Sequence, residues 1–300
     1  MNKDLLSFAG MQPPDFEEIW QRTARLKKML KEGKRHASLA GKTLGMIFDK
    51  SSTRTRISFE VGMYQLGGIA LFLNSRDTQI GRGETLADSA RMMSCYLNGI
   101  MIRTFAQESV EELARYATIP VINSLTDLLH PCQILADLFT IQEKKGSYEG
   151  IRVAYIGDGN NVANSWIEAA AHLPFELALA CPEGYDPDER LMKESRKHGR
   201  VRLGRDPFEA AADADVLYTD VWTSMGQEAE SKERKKVFAN YQINQKLLKA
   251  ARKDAIVMHC LPAHRGEEIT AEVIDGPQSV VVEEAENRLH VQKAVLEILL

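Results

Sequence analysis

The sequence predicts an α/β protein built from two parallel-sheet domains. Two series of short apolar runs alternate with helical patterns, one on each side of residues 144–150. Such alternation folds into parallel sheets covered by helices. A charged, glycine-containing stretch, Lys144-Lys145-Gly146-Ser147-Tyr148-Glu149-Gly150, separates the two series. The length, 300 residues, suffices for two domains of ordinary size. The expected division is 1–145 and 146–285, with a closing helix at 286–300 joined to the first domain, and a ligand cleft between the two.

Pro13 and Pro14 before Asp15, Glu17 and Glu18 mark the start of a helix that ends near Lys31. Leu44–Phe48 is the first strand. It leads through Lys50-Ser51-Ser52-Thr53-Arg54-Thr55-Arg56 into a helix ended by Gly67-Gly68. Ile69–Leu73 reads as a second buried strand, with a polar loop after it over 74–84. A helix (Thr85–Leu97), a strand ending at Arg103, a helix (Val110–Tyr116) and a short strand (Val121–Asn123) come next. Leu129-His130-Pro131-Cys132-Gln133 opens a helix over Ile134–Glu143. The second series begins with strand Ile151–Ile156 and passes through Gly157-Asp158-Gly159-Asn160-Asn161 into helix Val162–His172. Next are strand Glu176–Ala180, helix Asp188–His198, strand Val201–Leu203 and helix Pro207–Ala212. Strand Asp215–Asp220 precedes a long polar stretch, Val221–Lys236, read as a loop. Gln245–Ala251 is helical, and strand Ala255–Met258 runs into His259-Cys260-Leu261-Pro262.

Composition narrows the function. With 38 Lys+Arg against 42 Asp+Glu, the formal net charge is -4, which argues against a nucleic-acid partner. A small anionic substrate remains compatible, because a pocket can be locally positive. No apolar run reaches membrane-spanning length, and the N-terminus lacks a signal-peptide core. The four cysteines are scattered without a CxxC pair, so a cytoplasmic protein with reduced thiols, and neither a zinc site nor disulfides, is expected.

Ligands of parallel sheets bind at the carboxyl ends of strands. In the first half that rule selects the 52–56 turn, Arg103 and the His130 region. In the second half it selects Asn160, Asn161, Asp220 and the Cys260 region. The first set is cationic and donating; the second carries a carboxylate. An anionic substrate on one domain and a cationic one on the other is the simplest inference. Each residue also has a plainer explanation: a helix cap for Ser52, a surface charge for Arg103, a loop histidine for His130, a turn cap for Asp220, a small apolar residue for Cys260, a solvated loop side chain for Gln79. Gly157-Asp158-Gly159 invites a dinucleotide reading, but Val162 stands where the third glycine belongs.

Taken together, the motifs resemble those of the aspartate/ornithine carbamoyltransferases. Ser52-Thr53-Arg54-Thr55-Arg56 with Ser58-Phe59-Glu60 resembles the family's carbamoyl-phosphate signature, and His130-Pro131-Cys132-Gln133 its second such motif. Asp220-Val221-Trp222-Thr223-Ser224-Met225-Gly226 and His259-Cys260-Leu261-Pro262-Ala263-His264-Arg265-Gly266 resemble the ornithine branch. The resemblance spans nearly the whole chain. It implies transfer of a carbamoyl group from carbamoyl phosphate to the δ-amino group of L-ornithine, giving L-citrulline and phosphate, with arginine biosynthesis favoured. An enzyme acting on another amine, such as putrescine or an N-acylated ornithine, is the alternative.

The resemblance further implies that Ser52, Thr53, Arg54 and Thr55 hold the phosphate and that Arg103 bridges phosphate and carbonyl. His130, Pro131, Cys132 and Gln133 would line the carbamoyl site, completed by Cys260, Leu261 and Arg288. Asn161, Asp220, Ser224 and Met225 would bind ornithine. Arg103, His130, Thr55 and Cys260 would be the catalytic set, without metal or organic cofactor. Gln79 would reach carbamoyl phosphate from a neighbouring subunit, which implies a homotrimer or a multiple of one.

Overall fold

The computed structural model describes residues 3–74, 76, 78–79, 83–223 and 230–300. The chain divides into two compact units, Met1–Phe139 with Glu286–Leu300, and Thr140–Ala285. The alternation read from the sequence is borne out: both sheets are parallel throughout their described pairings.

The first unit opens with α1 (Pro13–Lys31), where Pro13 and Pro14 occupy the first turn. Asp15 accepts the Gln12 N–H at 2.8 Å, so the acid closes the helix start. Next come β1 (Thr43–Phe48), α2 (Thr53–Gln65), β2 (Ile69–Asn74), α3 (Leu86–Tyr96), β3 (Gly99–Arg103), α4 (Gln107–Tyr116), β4 (Val121–Leu125) and α5 (Pro131–Lys145). The sheet order is β2-β1-β3-β4. β1 and β3 are buried almost throughout, as apolar central strands of a parallel sheet must be. β2 departs from the expectation of a buried strand. It lies at the sheet edge, and Ile69, Leu71 and Phe72 are exposed.

The second unit contains β5 (Arg152–Ile156), α6 (Asn161–His172), β6 (Glu176–Ala180), α7 (Glu189–Ser195), β7 (Val201–Gly204), α8 (Pro207–Ala211) and β8 (Val216–Thr219). Beyond them lie α9 (Ser231–Val237), α10 (Gln245–Leu248), β9 (Ile256–His259) and α11 (Ala271–Ile274). Its sheet order is β7-β6-β5-β8-β9. Trp222, Phe238, Tyr241 and Ile243 pack with the buried residues of β5, β8 and β9 into one core.

Two boundaries differ from the sequence reading. The polar stretch 221–236 includes α9, which buries Arg234. The closing helix, expected over 286–300, is α12, Val281–Leu299, with Glu283 and Glu284 in its first turn, where acids suit the positive helix end. Among the described residues no helix is long and apolar enough to cross a membrane.

Candidate active site

In the first unit the strand order reverses between β1 and β3. The turns after two such neighbouring strands open the crevice where parallel sheets take ligands. Phe48 pairs with Arg103 across the ladder, and the Asp49 N–H donates to the Arg103 carbonyl at 2.9 Å. The basic turn and Arg103 therefore emerge side by side. Ser52 caps α2, its hydroxyl oxygen accepting the Thr55 N–H at 3.3 Å. Thr53 is exposed, Arg54 half-buried and Thr55 buried. Thr55 Oγ1 accepts from Arg288 Nη2 at 2.7 Å, which brings α12 to the start of α2. Two cations of the turn are engaged elsewhere: Lys50 pairs with Asp127 and lies over the Phe105 ring, and Arg56 pairs with Glu60 over the Phe72 ring.

His130 precedes α5 and is buried. Burial, and then the guanidinium charges of Arg288, Arg103 and Arg54, hold its pKa well below the ordinary histidine range. It is therefore a neutral imidazole with one N–H to donate. The unfolded chain's histidine takes up a proton near pH ~6.5, while the folded one resists. Stability is thus lost as pH falls below ~6.5, by up to ~1.4 kcal/mol per unit from this group. His130→Gln is expected to flatten that loss. The check is the difference in urea midpoint between about pH 7 and about pH 5 in both proteins; parallel slopes would contradict a neutral His130.

Pro131 opens α5, and Gln133 donates from Nε2 to Asp137 at 2.8 Å. Cys132 turns away, its thiol on the Asn123 carbonyl at 3.4 Å, and burial pushes it up to about 12. Its side chain is structural, so any carbamoyl contact from this residue would come from its backbone. Gln79 is exposed on the loop after β2.

In the second unit the strand order reverses between β5 and β8. Gly159 lies just past β5, and a Cβ there would stand 2.3 Å from the Pro187 nitrogen. Close backbone approach, with no nucleotide involved, accounts for that glycine. Asn160 caps α6, accepting the Val162 and Ala163 N–H groups at 2.9 and 3.2 Å. Its Nδ2 donates to Asp220 Oδ2 at 2.8 Å. Asp220, just past β8, also accepts the Val221 N–H at 2.8 Å and the Cys260 thiol at 2.9 Å, both on Oδ1. The carboxylate is thus buried and aimed by three donors. Asn161 is the first, half-buried residue of α6. Ser224 and Met225 lie outside the described residues.

The loop after β9 is built around His259. The Leu261 N–H donates to His259 Nδ1 at 2.9 Å, so the ring proton sits on Nε2, which faces Glu268 at 3.1 Å. Leu261 has φ +57°, a left-handed conformation rare for leucine. Glu284, fully buried, accepts the His259 N–H at 2.9 Å. Ligand atoms of Asp220, His259 and Cys260 lie within 4.8 Å of one another, but both His259 nitrogens face the partners just named. Asp158, Asn160, Arg234, Glu268 and Glu284 are among the buried or half-buried polar residues of this unit that received no role from the sequence. Only Asn160 carried a signal, its place at a strand end.

Comparison with known proteins gives a consistent family. Residues 3–143 match the family model of the aspartate/ornithine carbamoyltransferase carbamoyl-P binding domain, and residues 149–299 that of the Asp/Orn binding domain. The chain is 68% identical to the ornithine carbamoyltransferase of Syntrophus aciditrophicus, covering 100% of both chains. It is 54% identical to that of Desulfotalea psychrophila over 99% of each. Its fold is similar to the solved ornithine carbamoyltransferase of Pyrococcus furiosus, with TM-score 0.94 and 53% identity over 98% of this chain and 95% of that one.

Proposed function

The chain belongs to the aspartate/ornithine carbamoyltransferase family, and on that footing we propose that it carbamoylates the δ-amino group of L-ornithine, using carbamoyl phosphate and releasing L-citrulline and phosphate. The observation that carries this reading is the buried Asp220 carboxylate with its three donors in the second unit, alongside a first unit whose buried His130 is held below the ordinary histidine range by burial and by the charges of Arg288, Arg103 and Arg54.

Arg54, with the Ser52–Thr55 turn, holds the phosphate dianion. Arg103, His130 and Thr55 donate to the carbonyl oxygen as it gains charge, the oxyanion role. Arg288 orients the Thr55 hydroxyl and adds positive charge. Gln133 lines the carbamoyl group, as do the Pro131 and Cys132 backbone and the Cys260-Leu261 turn. Asp220 pairs with the α-ammonium of ornithine, with Asn161, Ser224 and Met225 completing that subsite. The free δ-amine forms the new C–N bond, the C–O bond to phosphate breaks, and the departing phosphate accepts the amine proton. No metal or organic cofactor enters this scheme.

The assembly proposed is a homotrimer or a multiple of one, with Gln79 reaching a neighbour's site. Ile57 and Tyr64 on α2, Ile69 and Leu71 on β2, and Met92 and Tyr96 on α3 are exposed, more large apolar surface than these elements need if left in water. We place the protein in the cytoplasm and in arginine biosynthesis.

The test is citrulline formation from ornithine and carbamoyl phosphate, alongside carbamoylation of putrescine and of N-acetylornithine. Ornithine is expected to be preferred over N-acetylornithine, because Asp220 offers a charge partner that an acylated, uncharged α-nitrogen cannot use; putrescine keeps a second ammonium and lacks the α-carboxylate, so its rate against ornithine measures how much that carboxylate is recognised. Preference for either other amine would replace the reading.

A further inference from the structure

The second unit contains a buried ion pair that the reaction scheme leaves unused. Arg234 of α9 is 4% exposed. Its guanidinium lies 4.7 Å from the Tyr185 ring centroid and 5.3 Å from that of Phe238. Nε donates to the Trp222 carbonyl, and Nη2 donates to the Asp158 carboxylate. One side chain therefore ties together α9, the turn after β5 and the residues just after β8.

The last two of these segments carry the amine half-site. The Asp158 carbonyl accepts the Asn160 N–H at 2.8 Å, and the Asn160 amide donates to Asp220 at 2.8 Å. Trp222 is two residues beyond Asp220, and the ornithine-binding pair Ser224-Met225 comes after it in sequence. A buried ion pair is weak grounds for stability, because desolvation offsets much of the attraction. Its placement is more informative. The Asp158 carboxyl is raised to about 6: burial is the main cause, Arg234 opposes it, and the nearby Asp220 charge adds to it. Two carboxylates thus sit close together, and Arg234 balances the one that has no role in taking substrate.

We propose that Arg234 is a positioning residue for the amine substrate. It clamps Asp158 and the Trp222 carbonyl so that Asn160 and Asp220 keep the geometry that receives the ammonium group, and it cancels the second negative charge beside Asp220. The proposal rests on the ornithine reading above. Without Arg234 the tie between Asp158 and the Trp222 carbonyl is lost, and the Asn160 turn that aims Asp220 loosens. Lysine would keep the charge but lose the planar fork that reaches the carboxylate and the carbonyl at once.

The experiment compares wild type, R234M, R234K and the double variant R234M/D158N in the citrulline assay, with thermal melts of each. R234M is expected to raise the ornithine KM by about tenfold or more, the loss of one charge-assisted contact, with the carbamoyl-phosphate KM within about twofold of wild type. R234K should show a smaller rise in the same parameter. The double variant should recover part of the loss, since no unpaired buried carboxylate remains. A purely structural role would lower Tm and kcat and leave the ornithine KM alone, and that pattern would overturn the proposal. So would an equal rise in both KM values. Should R234M fail to fold, R234K and the double variant decide by the same split. A wild type that makes no citrulline removes the ornithine reading itself, and the proposal with it.

Discussion

Arg54→Ala is expected to cut kcat/KM for carbamoyl phosphate by roughly a hundred- to ten-thousandfold. Each charge-assisted hydrogen bond is worth ~1.5–3 kcal/mol, and a guanidinium can give two to a phosphate. The fold should tolerate the change, because Arg54 is only half-buried and the α2 start keeps its Ser52 cap. One side effect is specific. Arg54 is among the cations that hold the His130 pKa down, after burial itself and Arg288 and Arg103. Its loss moves His130 back toward the ordinary range. Isothermal titration with carbamoyl phosphate checks the main effect; binding within a few-fold of wild type would take the phosphate away from this turn.

Asp220→Asn is expected to raise the ornithine KM by about ten- to a hundredfold, the worth of one ionic hydrogen bond to an ammonium group. The carbamoyl-phosphate KM should barely change. Asp220 is also a structural acceptor: the Val221 N–H, the Cys260 thiol and the Asn160 amide all donate to it. An asparagine can accept on one atom only, so its own NH2 would face the Asn160 NH2 unless Asn160 turns over. A lower Tm is therefore part of the expected result. Separate KM values for the two substrates distinguish the lost charge from a loosened fold, and an unchanged ornithine KM would place the amine subsite elsewhere.

Much of the fold, and the gathering of the candidate site, was legible in the chain because parallel sheets constrain what their residues can be. β1, β3, β5 and β9 are buried on both faces, so each is a short unbroken apolar run, and the residues just past each run fall at the ligand-binding edge. The 52–56 turn, Arg103, His130, Asp220 and Cys260 can be gathered on that rule alone, without any resemblance. Exposure of β2 cannot: an apolar edge strand and an apolar central strand look alike in sequence. Arg234 was hidden for another reason. It sits in Ser231-Lys232-Glu233-Arg234-Lys235-Lys236, a run that reads as solvated surface. What buries it is a carboxylate 76 positions earlier in the chain. Asn160 and Asn161 are adjacent and chemically identical, and only the helix geometry shows that the first caps α6 and reaches Asp220.

The contact between Arg288 and Thr55 joins residues 233 positions apart in the chain. A ribosome adding ~5–20 residues per second needs on the order of ten to fifty seconds to pass from one to the other. During that interval the nascent N-terminal segment has its Ser52–Thr55 turn, Arg103 and His130, but α12 has not yet been made. The part of the enzyme synthesised first is thus the part whose chemistry is finished last. A chain cut before residue 286 would carry the Ser52–Thr55 turn without the Arg288 guanidinium that meets Thr55 in the full-length protein, and on the function proposed above it is expected to bind carbamoyl phosphate more weakly.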